Sequence, residues 1–175
     1  MGHCGVAPWL CATVGTEPLS RLALTSNMGL QIVNFIVRQP LKKMKRILDA
    51  HGLMVFLEKE AGFDKVESFF VTAVEKDNYL LMTTVNFGEV YYIVLRECGQ
   101  DKAHEIEKII RTLPIEIIDV NLELAREAGR FKATKKISYA DCFAAALTKL
   151  YKGELITGDK EFKVLEDEIK IAWII

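Results

Sequence analysis

Apolar residues recur along this chain in short blocks separated by polar turns, and the spacing within the blocks switches between two periods. Blocks at 45–49, 79–83, 115–119, 154–157 and 170–174 are strand-sized apolar runs. Between them, apolar positions repeat with helical spacing at 53–57, 63–74, 86–98, 101–113, 122–131 and 138–152, and a short helix is predicted at 160–165. Gly99, Pro114 and Gly153 punctuate the helical stretches where a helix is expected to stop. Strands that alternate with helices imply a parallel sheet covered on both faces. The reading is an α/β chain in three layers, α/β/α, around a central, mostly parallel five-stranded sheet.

The pattern divides the chain unequally. Regular periodicity begins after Met44, so 44–175 reads as one domain and 1–43 as a leader or extension outside it. Residues 1–43 carry Arg21, Arg38, Lys42 and Lys43 against Glu17, a net of +3. The whole chain is −1, which leaves −4 for 44–175. A cluster of four acids would account for that excess, and so would an ordinary soluble surface. Half of the 175 residues are apolar and 27% are charged, a globular rather than a disordered composition. No apolar run reaches the ~18 residues of a membrane span. The four cysteines lack CxxC spacing, and Cys98 and Cys142 fall within predicted helices as buried thiols. That usage points to a reducing, cytoplasmic setting.

Four acids stand at the loop ends of this pattern. Asp49 ends the first strand, Glu89 follows the second, Asp141 opens the Ala-rich helix and Asp159 follows the fourth strand. Each has a local explanation as a helix-capping residue: Asp49 and Asp159 as caps, Glu89 three after Asn86, and Asp141 three after Ser138. Together they gather at the carboxyl edge of an open sheet, where ligands bind. Two unit charges at about 4 Å repel by roughly 4 kcal/mol at an effective dielectric of about 20. A divalent cation relieves that repulsion, and an oxygen-only donor set favours Mg²⁺ or Mn²⁺ over zinc. Such a site suits in-line displacement at phosphorus.

The segment Ile137-Ser-Tyr-Ala-Asp-Cys-Phe-Ala-Ala-Ala-Leu, followed by Leu155-Ile-Thr-Gly-Asp-Lys-Glu-Phe, resembles the C-terminal half of a PIN-domain nuclease. Ile47-Leu48-Asp49 and Asn86-Phe-Gly-Glu-Val-Tyr resemble the family's first strand and its second acidic element. The resemblance covers about 44–175 and is similar in size to VapC-like toxins. It implies a Mg²⁺- or Mn²⁺-dependent endoribonuclease leaving 5′-phosphate and 3′-hydroxyl ends, a homodimer, and a small antitoxin partner. It implies Asp49, Glu89, Asp141 and Asp159 as the metal-binding acids, with the Thr157 hydroxyl supporting them. One position departs from the family: His51 stands where Ser or Thr is usual, either to meet phosphate or simply facing solvent.

The basic group Arg126, Arg130, Lys132, Lys135 and Lys136 precedes Ser138 and either draws RNA phosphates to an acidic site or forms a solvated helix end. His104 is expected on an exposed helix face, and Tyr91, Tyr92 and Val94 as helix packing. GxGxxG, GxxxxGK[ST] and GxSxG are all missing, which excludes the nucleotide-fold and nucleophile-elbow readings. Two alternatives remain beside the nuclease: a silent PIN-like module that binds RNA or protein without cutting, and a phosphomonoesterase on a similar sheet.

Overall fold

The computed structural model describes residues 43–175. The expected leader therefore lies outside the described residues, apart from Lys43, whose Nζ donates to the carbonyls of Lys76 (2.6 Å) and Asp77 (2.9 Å). Five strands form one sheet: β1 (Arg46–Leu48), β2 (Leu80–Thr83), β3 (Ile115–Ile118), β4 (Glu154–Thr157) and β5 (Lys170–Trp173). Their order is β3-β2-β1-β4-β5 and every pairing is parallel. The chain builds outward from β1 to one side, then crosses back to build the other. The direction reverses between β1 and β4, and ligands collect outside the strand ends at such a reversal.

Alternation along the strands feeds two cores. Leu48, Leu80, Met82 and Ile156 face one cluster with α1 (Ala50–Glu58), α2 (Phe63–Glu75), α3 (Thr84–Cys98) and α4 (Gln100–Ile110). Ile47, Leu81 and Leu155 face the other, with α5 (Leu122–Thr134), α6 (Tyr139–Tyr151) and the 3-10 turn Lys160–Leu165. Ala144, Ala145 and Ala146 are fully buried, so their small side chains bring α6 close against the sheet. This holds the start of α6 rigidly over the carboxyl ends of the central strands. Among the described residues no helix is long and apolar enough to cross a membrane.

Several boundaries differ from expectation. The first helix begins at Ala50 rather than 53, because Asp49 caps it through the Gly52 N–H at 2.7 Å. The third begins at Thr84 rather than 86. Thr83 is both the last residue of β2 and the N-cap, accepting from the Asn86 N–H at 3.1 Å. Glu89 therefore lies in the second turn and is not part of a box opened by Asn86. The fourth helix ends at Ile110 rather than 113. Pro114 disfavours helical backbone at Leu113, and Thr112 and Leu113 close tight i−3 turns instead. Cys142 is buried as expected, while Cys98 is only half-buried. Tyr91 and Val94 pack inward and His104 is exposed, but Tyr92 projects to solvent beneath the Arg96 guanidinium, 5.6 Å away.

Candidate active site

Asp49 is the innermost of the acids and is almost completely buried. Both of its oxygens are held: Oδ1 by the Gly52 N–H, and Oδ2 by the Thr157 hydroxyl at 2.6 Å. Gly52 permits the first contact, since a Cβ there would lie 3.1 Å from Asp49 Oδ1 and 2.9 Å from Leu48 Cδ1. Thr157 also accepts from the Asp159 N–H at 3.0 Å. One buried hydroxyl thus ties the end of β1 to the loop after β4, across the point where the strand order reverses. Asp159 caps the 3-10 turn through the Glu161 N–H at 2.8 Å.

Asp141 arrives from the first turn of α6. Ser138 caps that helix by accepting from the Asp141 N–H at 3.0 Å. This cap fixes the backbone of Asp141 at the start of the helix. Glu89, half-buried, arrives from α3. Capping and clustering are therefore compatible: the local interactions that orient each acid also aim it at the common edge.

The charges of Asp141 and Asp159 act on both Asp49 and Glu89. Burial pushes the Asp49 carboxyl up to about 7, opposed by its bonds to Thr157 and Gly52 and reinforced by the charges of Asp141 and Asp159. Burial raises Glu89 as well, and Asp141 and Asp159 add to the rise. Burial raises Asp141, Ser138 opposes, and Asp159 and Glu161 add to it. Glu161 is a member that sequence reasoning missed. One carboxylate oxygen each from Asp141, Asp159 and Glu161 lie within 4.8 Å of one another. Its signal was an acid two residues after Asp159, at the start of a 3-10 turn, where acids are common for dipole reasons alone. A set of hard oxygen donors, of which Asp49, Glu89 and Asp141 are disfavoured as bare anions by burial and by neighbouring charge, fits a divalent cation.

The basic group is placed less uniformly. Arg130 pairs with Glu127 (2.6 Å), Lys132 donates to the Ile137 carbonyl (2.7 Å) and Lys135 pairs with Glu168 (2.7 Å). Arg126 and Lys136 are exposed. The Lys132 charge acts on the Cys142 thiol, which follows Asp141 in sequence. His51 is half-buried rather than facing solvent. Its Cε1 lies where a Cβ on Gly158 would come within 2.8 Å, and its Nδ1 is buried with no hydrogen-bond partner among the described residues.

A parallel five-stranded α/β/α domain with carboxylates converging at the reversal of strand order is the class that this fold and site define. The chain belongs to the PIN domain family, whose match spans residues 46–168. Ribonuclease VapC30 of Mycobacterium tuberculosis and a VapC ribonuclease of Mycobacterium bovis are each 24% identical over 121 residues, covering 62% of this chain and 89% of theirs. Among solved structures, VapBC2 from Rickettsia felis, bound to a DNA fragment from its promoter, matches with a TM-score of 0.62 at 16% identity, over 74% of this chain and 98% of that one. DNA-bound VapBC from Salmonella typhimurium matches with a TM-score of 0.59 at 16% identity, over 75% and 99%. These structural likenesses establish the fold.

Proposed function

We propose that this protein is a divalent-metal-dependent endoribonuclease, the toxin of a toxin–antitoxin pair. PIN family membership and relatives named as VapC ribonucleases support the activity. Structural neighbours solved as VapBC complexes support an antitoxin partner. The observation that supports the reading is the cluster of Asp141, Asp159 and Glu161, with carboxylate oxygens within 4.8 Å of one another, together with the action of the Asp141 and Asp159 charges on Asp49 and Glu89. The finer assignments are Mg²⁺ or Mn²⁺ as the ion, RNA as the substrate, a homodimer and a cytoplasmic location.

In this reading Asp49, Glu89, Asp141 and Asp159 hold the cation, and Glu161 adds a further carboxylate from the rim. When bound, the ion supplies Lewis-acid chemistry and charge neutralisation for phosphodiester hydrolysis. The protein's own contribution is preorganisation. Thr157 and Gly52 fix both oxygens of Asp49, so its remaining lone pairs are aimed before any ligand arrives. Ser138 holds the backbone of Asp141 in place through the Asp141 N–H. Lys132, Lys136 and Arg126, on or just after α5, offer positive charge to a polyanion approaching an acidic site, with Arg130 and Lys135 further along the same face.

The test is cleavage of RNA by the full chain with Mg²⁺ or Mn²⁺, against the same reaction in EDTA and with Asp141→Asn. Metal-dependent cleavage that Asp141→Asn lowers by about 100-fold or more is expected, since removing one charged ligand disrupts the whole donor set. Wild-type protein that binds RNA but cuts none in either metal would overturn the activity. Release of phosphate from an aryl phosphate with RNA left intact would reassign it to a phosphomonoesterase.

A further inference from the structure

Asn86 is fully buried in the third position of α3, where it reaches across to α6. Its side chain is committed on every side. Oδ1 accepts from the Thr83 hydroxyl at 2.6 Å, and Nδ2 donates to the Ala140 carbonyl at 3.2 Å. Glu89 lies on the same helix, one turn further along α3. Ala140 immediately precedes Asp141 in the first turn of α6. One side chain, on the helix that carries Glu89, therefore joins the end of β2 to the backbone that carries the acid of α6.

We propose that Asn86 is a positioning residue of the metal site, the strut that sets Glu89 against Asp141. The inference rests on the metal-dependent reading above. Helix capping does not account for the residue, because Thr83 already caps α3 through the Asn86 N–H, leaving the Asn86 amide for the tertiary bond. Nor does volume: an apolar side chain of similar size would fill the space and leave the Ala140 carbonyl and the Thr83 hydroxyl without this partner. An amide is the group that both accepts from a hydroxyl and donates to a carbonyl. Its loss leaves α3 and α6 packed through their apolar faces but frees the two acids to move apart, which the cation resists only weakly at the distance of a long side chain.

The test measures Mn²⁺ affinity of the full chain by calorimetry, alongside thermal unfolding in EDTA and kcat and KM on RNA at saturating Mn²⁺. Asn86→Leu and the smaller Asn86→Ser are compared with Val94→Ala, a fully buried position on α3 remote from the acids. Both Asn86 variants are expected to weaken Mn²⁺ binding by about 10- to 100-fold, the usual loss when a group behind a metal ligand is removed. They should lower kcat more than they raise KM. Val94→Ala should lower the unfolding temperature and leave Mn²⁺ affinity unchanged. If Asn86→Leu does not fold, Asn86→Ser carries the comparison. Wild-type-like Mn²⁺ affinity in a folded Asn86 variant overturns the strut and leaves the nuclease reading standing. Wild-type protein that binds no Mn²⁺ overturns both.

Discussion

The buried carboxyl of Asp49 gives the sharpest quantitative expectation. It is 1% exposed and pushed from 3.8 up to about 7, with burial as the leading cause. Because the folded value lies above the unfolded one, the folded chain binds the extra proton between them. The stability this provides is complete below about 3.8 and is lost as pH rises through about 7. Integrating the linkage relation over these two values gives a loss of about 4 kcal/mol across the window, of which about 2.6 kcal/mol falls between about pH 5 and about pH 8. Asp49→Asn removes the titration and keeps the shape. The amide oxygen still accepts from Gly52, and its NH₂ donates to Thr157 Oγ1, whose lone pairs admit a second donor. The assay is urea unfolding of wild type and variant in EDTA at both pH values. The variant should gain about 2–3 kcal/mol on wild type from the lower pH to the higher, a midpoint difference of about 1–2 M urea. Glu89 and Asp141 are raised too, so both proteins should weaken as pH rises, but only the difference between them reports Asp49. A difference that stays constant with pH would refute the claim that burial holds this proton.

Other expectations follow from single positions. Glu161→Gln should weaken Mn²⁺ binding by less than Asp141→Asn does, by about 3- to 10-fold at equilibrium in calorimetry, because Glu161 is exposed and supplies one carboxylate of a larger set. Gly153→Ala should destabilise by about 1–3 kcal/mol in chemical unfolding. A Cβ there would stand 2.6 Å from both Ile47 Cδ1 and the Lys45 carbonyl, and backbone cannot yield as a side-chain tip can.

The strand–helix alternation was legible because both faces of the central strands are covered, so Ile47-Leu48, Leu80-Leu81-Met82 and Leu155-Ile156 read as short apolar runs. The α6 helix was legible for three separate reasons: a Ser138 cap, an Ala run and a Gly153 stop. Where the reading slipped, one residue served two elements. Thr83 ends β2 and caps α3 with no loop between them, and Asp49 does the same between β1 and α1. Turn chemistry marks boundaries in sequence only when a turn exists. The four acids were visible as a set because each sits at an element end. Asn86 was not, since its meaning lies in a bond to Ala140, 54 residues away. The pairing of Arg130 with Glu127 and of Lys135 with Glu168 was hidden for the same reason. Charge counted along a chain does not reveal which cations are already engaged.

The bond between Thr157 and Asp49 spans 108 residues of chain. In a protein that would destroy RNA, that separation acts as a delay. While the polypeptide is still emerging from the ribosome, β1 and the helices that follow it can form, but Asp49 lacks the hydroxyl that orients it and Asp159 has not been made. The cutting edge is completed only when β4 slides in beside β1, late in synthesis. The order of strands thus sets how late in synthesis the first and last of these acids can meet.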